Sequence, residues 1–440
     1  MRLSHMRNRF LAPFGLLLAL AVVAVGCTSD ETGEEAVTTT EATTTTTEVT
    51  TTTTEPPTTT TEIAEPTELV IWVDEERATV LEALTATVLD ETGAVLTVEQ
   101  FGFDDLPGLV REAAPDGEGP DIFIGPHFWT GQLAAEGIVA PVDLAGREDE
   151  WVDVSRAAFN HGGFLYAVPY ATEAIGLYYN AELIPNPPTT FEELGAICDG
   201  LDAIDNCLGI PGGADDVGNA AYYNYPFVSL FGGYIFGFDP STGFDSADVG
   251  LDSNEAVAGV TVLEALIRDG YVGNVTGTEG KAQFVAGASP FFLDGPWFLD
   301  DLSATQLSYG VATLPTVEGS SPGPLVGAQG FFISQYGDDP DAAQAFVLEY
   351  LATEGVMTAL SSTNKASPAY LPSLEVLPTD DVAATFARSA ATGQPIPSIQ
   401  EMTDVWSPLS SQLNQLRNGA TDAATAMQTA AAQVRGAVQG

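Results

Sequence analysis

The sequence predicts an α/β fold, and three features carry that expectation. A continuous apolar run of strand length comes first, apolar residues at helical spacing follow it, and strand pattern returns late in the chain. Leu69-Val70-Ile71-Trp72-Val73 is the first strand. Val80, Leu81, Leu84, Val88 and Leu89 then recur as one helical face, and Gly93 stands where a helix would stop. Leu96-Thr97-Val98 supplies the next strand and completes a strand–helix–strand unit with a short connection. Asp121-Ile122-Phe123-Ile124-Gly125 and Tyr166-Ala167-Val168-Pro169 read as further strands, and Phe331-Phe332-Ile333-Ser334 as the late one. Residues 342–351 and the alanine-rich stretch 421–438 read as helices.

Composition narrows the function classes. The 440 residues are 45% apolar and 9% aromatic, enough for two or three packed domains and unlike a wholly disordered or fibrous chain. Lys and Arg total 13 against 61 Asp and Glu, a formal charge of −48. Such a chain lacks the basic footprint of a nucleic-acid binder and is repelled by an anionic membrane surface. With 3 His and 3 Cys, the sequence offers no metal site, and no cofactor motif is expected.

The N-terminus reads as an address. Arg2, Arg7 and Arg9 precede an apolar run over residues 10–25 that closes on Ala24-Val25-Gly26-Cys27. The run is short and small residues precede the expected cleavage point, so residues 1–26 read as a secretion signal. Ala-Val-Gly-Cys resembles the lipobox of bacterial lipoproteins, which implies lipidation of Cys27 and anchorage by several acyl chains. The remainder of residues 27–67 is almost pure Thr and Glu with Pro56-Pro57, a composition unable to offset chain entropy by burial. It reads as a disordered stalk that reaches at most about 140 Å. Cys198 and Cys207 remain, nine positions apart, and in an exported chain they read as a structural disulfide.

A series of segments then carries a family resemblance. Leu69-Val-Ile-Trp-Val73, Gly119-Pro-Asp-Ile122, Pro169-Tyr-Ala-Thr-Glu-Ala174 and Tyr179-Asn180 are followed by Leu183-Ile-Pro-Asn-Pro-Pro-Thr-Thr-Phe-Glu-Glu193 and Gly232-Gly-Tyr234. Asp294-Gly-Pro-Trp297, Tyr309-Gly-Val, Leu314-Pro-Thr and Pro395-Ile-Pro…Met402…Trp406 complete the set. In order and spacing, from about residue 68 to the C-terminus, the chain resembles the maltose/maltodextrin-binding proteins, the solute receptors of ATP-driven sugar importers. The resemblance implies a two-lobed, periplasmic-binding-protein-like (type II) fold with a hinge crossed more than once. Residues 68–172 plus 331–372 would form one lobe, residues 176–326 plus 377–440 the other. It further implies a monomeric, non-enzymatic receptor on the extracytoplasmic face of the cell membrane. That receptor would hold an oligosaccharide between its lobes and deliver it to ABC permease subunits.

Sugar capture asks for flat aromatic faces against the C–H faces of a pyranose and for charged or amide groups at its hydroxyls. By the resemblance, Trp297, Trp406 and Tyr222 match stacking rings, and Glu173, alone in an apolar stretch, matches a hinge glutamate that bonds sugar hydroxyls. Glu76 and Arg77, just after the first strand, match an acidic–basic pair facing the ligand. The departures are informative too. On the loop after Gly119-Pro-Asp-Ile-Phe-Ile-Gly-Pro this chain carries His127-Phe128-Trp129, so Phe128 and Trp129 replace a hydrogen-bonding pair and Gly125 replaces an aromatic. Ala220 stands for a glutamate and Ser410 for an arginine. Plain maltose is therefore a less natural ligand than a glycan read by a rearranged stacking surface, with Trp129 as a new platform.

Two rival readings have distinct signatures. A secreted glycoside hydrolase needs two carboxylates flanking the scissile bond, and with 61 acids in the chain their number decides nothing. A receptor for a polyamine would need several converging carboxylates, whereas the matched positions are mostly aromatic.

Overall fold

The computed structural model describes residues 67–439 apart from 202, 203, 205 and 214–216. The expected signal, Cys27 and the Thr/Glu stalk lie outside the described residues. Among those described, no helix is long and apolar enough to cross a membrane.

The first apolar run forms the strand Glu68–Val73, which pairs in parallel with Val95–Gln100 on one side and Ile122–Pro126 on the other. The long strand Leu325–Ile333 lies antiparallel between Ile122–Pro126 and Ala167–Glu173, and Ser367–Pro368 closes that edge. The sheet is thus mixed: its parallel half comes from strand–helix–strand units, and a distant segment is inserted at its centre. Alternation sorts its two faces. Leu69, Ile71, Val73, Ile122, Ile124, Val168, Tyr170, Phe331 and Ile333 pack into one core, and Trp72, Phe123, Ala167, Ala328 and Phe332 into another.

A second sheet has four strands, Tyr309–Ala312, Gly176–Asn180, Phe291–Asp294 and Leu208–Gly209 in that order. Its core is aromatic: Tyr178, Phe284, Phe292, Phe298 and Phe386. The chain passes from the larger sheet to the smaller between Glu173 and Gly176, and returns between Ala312 and Leu325. After Ser367–Pro368 it crosses again into the helix Val382–Ala390, whose Phe386 packs in the smaller sheet's core. Gln394 and Pro395 then pair with Leu325 and Val326. The helices Thr403–Arg417 and Ala423–Val438 pack on each other beside the smaller sheet's helices.

Details differ from the sequence expectation. The helical face from Val80 to Leu89 is two helices, Glu75–Glu82 and Thr85–Thr92, with Gly93 ending the second at φ +73°. Residues 342–351 fall in Pro340–Phe346 and a following π-helical turn, Val347–Leu351. Cys198 and Cys207 are joined as a disulfide.

Candidate functional site

Three loops leave the carboxyl ends of the parallel strands together: Asp74–Arg77, Gln100–Phe103 and the segment from His127 to Trp129. Ligands of open α/β sheets sit at such ends. A cavity of about 720 Å³ opens there, lined by Asp74, Glu75, Glu76 and Arg77, by Gln100, Phe101 and Phe103, and by Glu173, Gln329 and Asn364.

Asp74 shapes its first wall. Its carboxylate accepts from the backbone N–H groups of Glu76 and Arg77 and so caps the helix Glu75–Glu82. This turns Arg77 inward, to 5% exposure, where its guanidinium bonds Asp74 and the Tyr170 hydroxyl and lies over the Phe103 ring. Burial opposes the Arg77 charge, but Tyr170 and Asp74 outweigh it and hold the pKa above its ordinary value. The partner of Arg77 is thus Asp74. Glu75 and Glu76 are both exposed and both line the cavity.

Glu173 ends the strand Ala167–Glu173 at the first crossing between the sheets. Its Oε1 accepts from Asn364 Nδ2 at 2.9 Å. Burial pushes its pKa up, and the Arg77 charge opposes that.

On the smaller sheet, the Asp-Gly-Pro-Trp motif builds an aromatic wall. Asp294 is fully buried, and its Oδ1 accepts from the Gly295 N–H, the Tyr223 hydroxyl at 2.9 Å and Trp297 Nε1 at 2.5 Å. Burial raises its pKa, against Lys281 and these three donors. A Cβ on residue 295 would strike the Trp297 ring at 2.3 Å, which is why glycine precedes the turn. Trp297 stays 36% exposed, 6.1 Å from the Tyr222 ring. Tyr222 in turn meets Tyr223 edge-on. Burial raises the Tyr222 pKa, and the charges of Glu173 and then Asp294 raise it further, so the phenol stands within electrostatic reach of the crossing carboxylate.

Trp129 half-buries against Phe103, with ring centroids 5.5 Å apart, whereas Phe128 projects with 55% exposure. The glycine at 125 has a clear cause: a Cβ there would lie 2.1 Å from Trp129 Cζ3, so the indole occupies the room an aromatic at 125 would need. Trp406 is half-buried on the helix Thr403–Arg417, one turn before Ser410. The Ser410 hydroxyl accepts from the Ala221 N–H at 3.0 Å, so the two small replacements, Ala220 and Ser410, pack at one spot beside Tyr222. The geometry brings Glu76, Arg77 and Glu173 to one cavity and pairs Tyr222 with Trp297. Among the described residues Trp406 makes no ring pair, and it does not line that cavity.

Sequence reasoning missed Gln329 and Asn364, which line the cavity, and Asp294, which aims the Trp297 ring. Asp294 had a signal, since it opens the motif that ends in Trp297. Gln329 had none, because a single Gln in an apolar strand reads as a solvent-facing position. Among the described residues no cluster of His, Cys, Asp and Glu could hold a metal ion.

Two sheets joined by repeated crossings, with a mostly polar hollow on the larger one beside the first crossing, suit a ligand-capturing protein. A family model described as bacterial extracellular solute-binding protein matches residues 83–390, and the chain belongs to that family. It is 27% identical over 392 residues to a maltooligosaccharide ABC transporter solute-binding lipoprotein of Streptococcus pneumoniae, covering 84% of this chain and 89% of the relative. It is 26% identical to a galactooligosaccharide-binding protein of Bacillus subtilis, over 85% of this chain and 90% of that protein. Among solved structures, a Staphylococcus aureus extracellular solute-binding protein in complex with maltose superposes with TM-score 0.76 at 26% identity, over 85% and 98% of the two chains. A cyclo/maltodextrin-binding protein complexed with maltotetraose gives TM-score 0.77 at 23% identity, over 86% and 99%, and shares the fold. The two-lobed, periplasmic-binding-protein-like expectation therefore holds. Membership in a family of binding proteins also sets the hydrolase reading aside.

Proposed function

We propose that this chain is the lipid-anchored, extracytoplasmic receptor of an ABC importer and captures a neutral, maltodextrin-like oligosaccharide between two lobes. The lobes are residues 68–172 plus 331–372 and residues 176–326 plus 377–440. Cys27 carries the anchor, and the monomer hands its sugar to the permease. The observation that supports this reading best is the Tyr222–Trp297 ring pair within electrostatic reach of Glu173. An apolar stacking face and a hydroxyl-bonding carboxylate thus stand on opposite sides of one crossing. In this reading Glu76, Arg77, Phe128, Trp129 and Trp406 complete the walls, with Arg77 acting through its hold on Asp74 and Tyr170. Sugar bonded to both lobes favours the closed form over the open one, and the closed form docks on the permease.

The names of the relatives set the test. Full-length protein is screened by thermal shift and calorimetry against maltose, maltotriose, maltotetraose, a galactotriose, trehalose, cellobiose and spermidine. A true ligand at about 100-fold its Kd adds about 2.7 kcal/mol of stability. Trp297→Ala is expected to weaken binding of the preferred sugar about tenfold or more, and to lower the unliganded Tm as well, because the indole N–H donates to the buried Asp294 carboxylate. Stabilisation by spermidine alone, or maltotriose returned in shorter pieces, refutes the proposal.

A further inference from the structure

Two amides on the cavity wall have an unmet hydrogen-bonding requirement. Gln329 sits mid-strand between Ala171 and Pro126, only 7% exposed, and its Oε1 is buried without a partner. Asn364 follows the helix Glu354–Thr363, gives one N–H to Glu173, and buries its Oδ1 without a partner. Both side chains line the hollow that holds Asp74, Glu75, Glu76 and Glu173. A buried acceptor left unpaired costs about 1–3 kcal/mol, so two on residues that line one cavity are poorly explained by folding alone. They call for donors brought by a ligand. The carboxylates on the same wall repel an anion, and the one cation there, Arg77, is already committed to Asp74 and Tyr170. A group with O–H or N–H donors and no negative charge fits, and on the sugar-receptor reading that group is a hydroxyl; a phosphate or a uronate does not fit.

We propose that Gln329 and Asn364 are ligand-reading residues whose amide oxygens accept from hydroxyls on one uncharged pyranose ring, beside Glu173. This rests on the sugar-receptor reading. It supplies polar contacts that the sequence lacks at Phe128, Trp129, Ala220 and Ser410, and it makes recognition depend on amides in place of a charged pair. Amides, unlike a carboxylate–arginine pair, read hydroxyls without setting up a strong field, which suits a site already rich in acid.

The test uses full-length protein, maltotriose and a galactotriose as probes, and the isosteric Gln329→Leu. Removing an orphaned amide leaves the sugar-free protein as stable as wild type or more so by urea unfolding, while affinity falls about tenfold or more. Asn364→Ala should weaken the same sugar. Gln329→Met serves in place of the leucine variant if that variant does not fold. If wild type binds and Gln329→Leu binds within about twofold of it, the inference is overturned. It is equally overturned if affinity and sugar-free stability fall together, which marks a structural amide. Should wild type bind neither of these probes nor any other sugar of the screen above, the receptor reading itself fails.

Discussion

Acid should loosen this protein through one histidine. His127 is fully buried at the carboxyl end of the strand Ile122–Pro126, between the Phe128 and Phe159 rings. Its Nδ1 accepts from the Ala328 N–H at 3.1 Å and its Nε2 lies 3.0 Å from the Ile396 carbonyl, so the neutral ring donates at Nε2 and accepts at Nδ1. These bonds tie the first lobe's strand to two segments that carry the chain between the sheets. Burial pushes the pKa down from 6.5 to about 4, against the two backbone partners, with no charged neighbour contributing. The unfolded chain therefore binds a proton that the folded one refuses. The stabilisation is present above the unfolded pKa and is lost as pH falls toward 4. The full effect is about 3 kcal/mol, of which about 2 kcal/mol is lost between pH 7 and pH 5. Other carboxylates also titrate at low pH, so the measurement is a difference: urea unfolding of wild type and His127→Gln across pH 7.5 to 4.5. Wild type should lose about 2 kcal/mol more than the variant by pH 5. Parallel curves refute the reasoning.

Two further outcomes follow from the same accounting. Arg77→Met strands Asp74, itself 7% exposed, without its cation and should cost about 3–5 kcal/mol by urea unfolding. It should also weaken binding, because the helix Glu75–Glu82 and Phe103 lose the group that sets them. Cys198→Ser, or reduction of wild type, opens a loop of sequence separation 9 and should lower stability by about 2.5–3 kcal/mol with sugar affinity retained.

What the sequence revealed and what it hid follow a physical division. Leu69 to Val73 announced a strand because a sheet covered on both faces demands an unbroken apolar run, and the structure buries that strand between two cores. Trp297 was legible because Gly295 and Pro296 force a turn and leave the indole with few places to go. Gln329 and Asn364 were not legible. Their meaning lies in an unpaired oxygen, and that depends on neighbours far away in sequence, Ala171 and Pro126 across the strands for one and Glu173 for the other. His127 is a similar case, since its neutrality depends on Ala328 and Ile396, more than two hundred residues downstream.

Gly125 and Trp129 are coupled by sterics. The indole fills the volume above the glycine and rests on Phe103, which in turn lies under the Arg77 guanidinium. Loss of an aromatic at one position and gain at another is thus a single steric change, and in the proposed reading it would carry the stacking surface onto the loop after the strand Ile122–Pro126. Polar reading cannot travel with it, because Phe128 and Trp129 offer at most one N–H between them. The hydroxyl contacts must then come from deeper in the crossing, where Glu173 and Asn364 are already bonded and Gln329 waits beside them. A ligand held there and also against the Tyr222–Trp297 pair would touch both sheets at once. Only such two-sided contact gives the differential affinity that shifts an open–closed equilibrium, whereas a sugar resting on Trp129 alone would bind and close nothing.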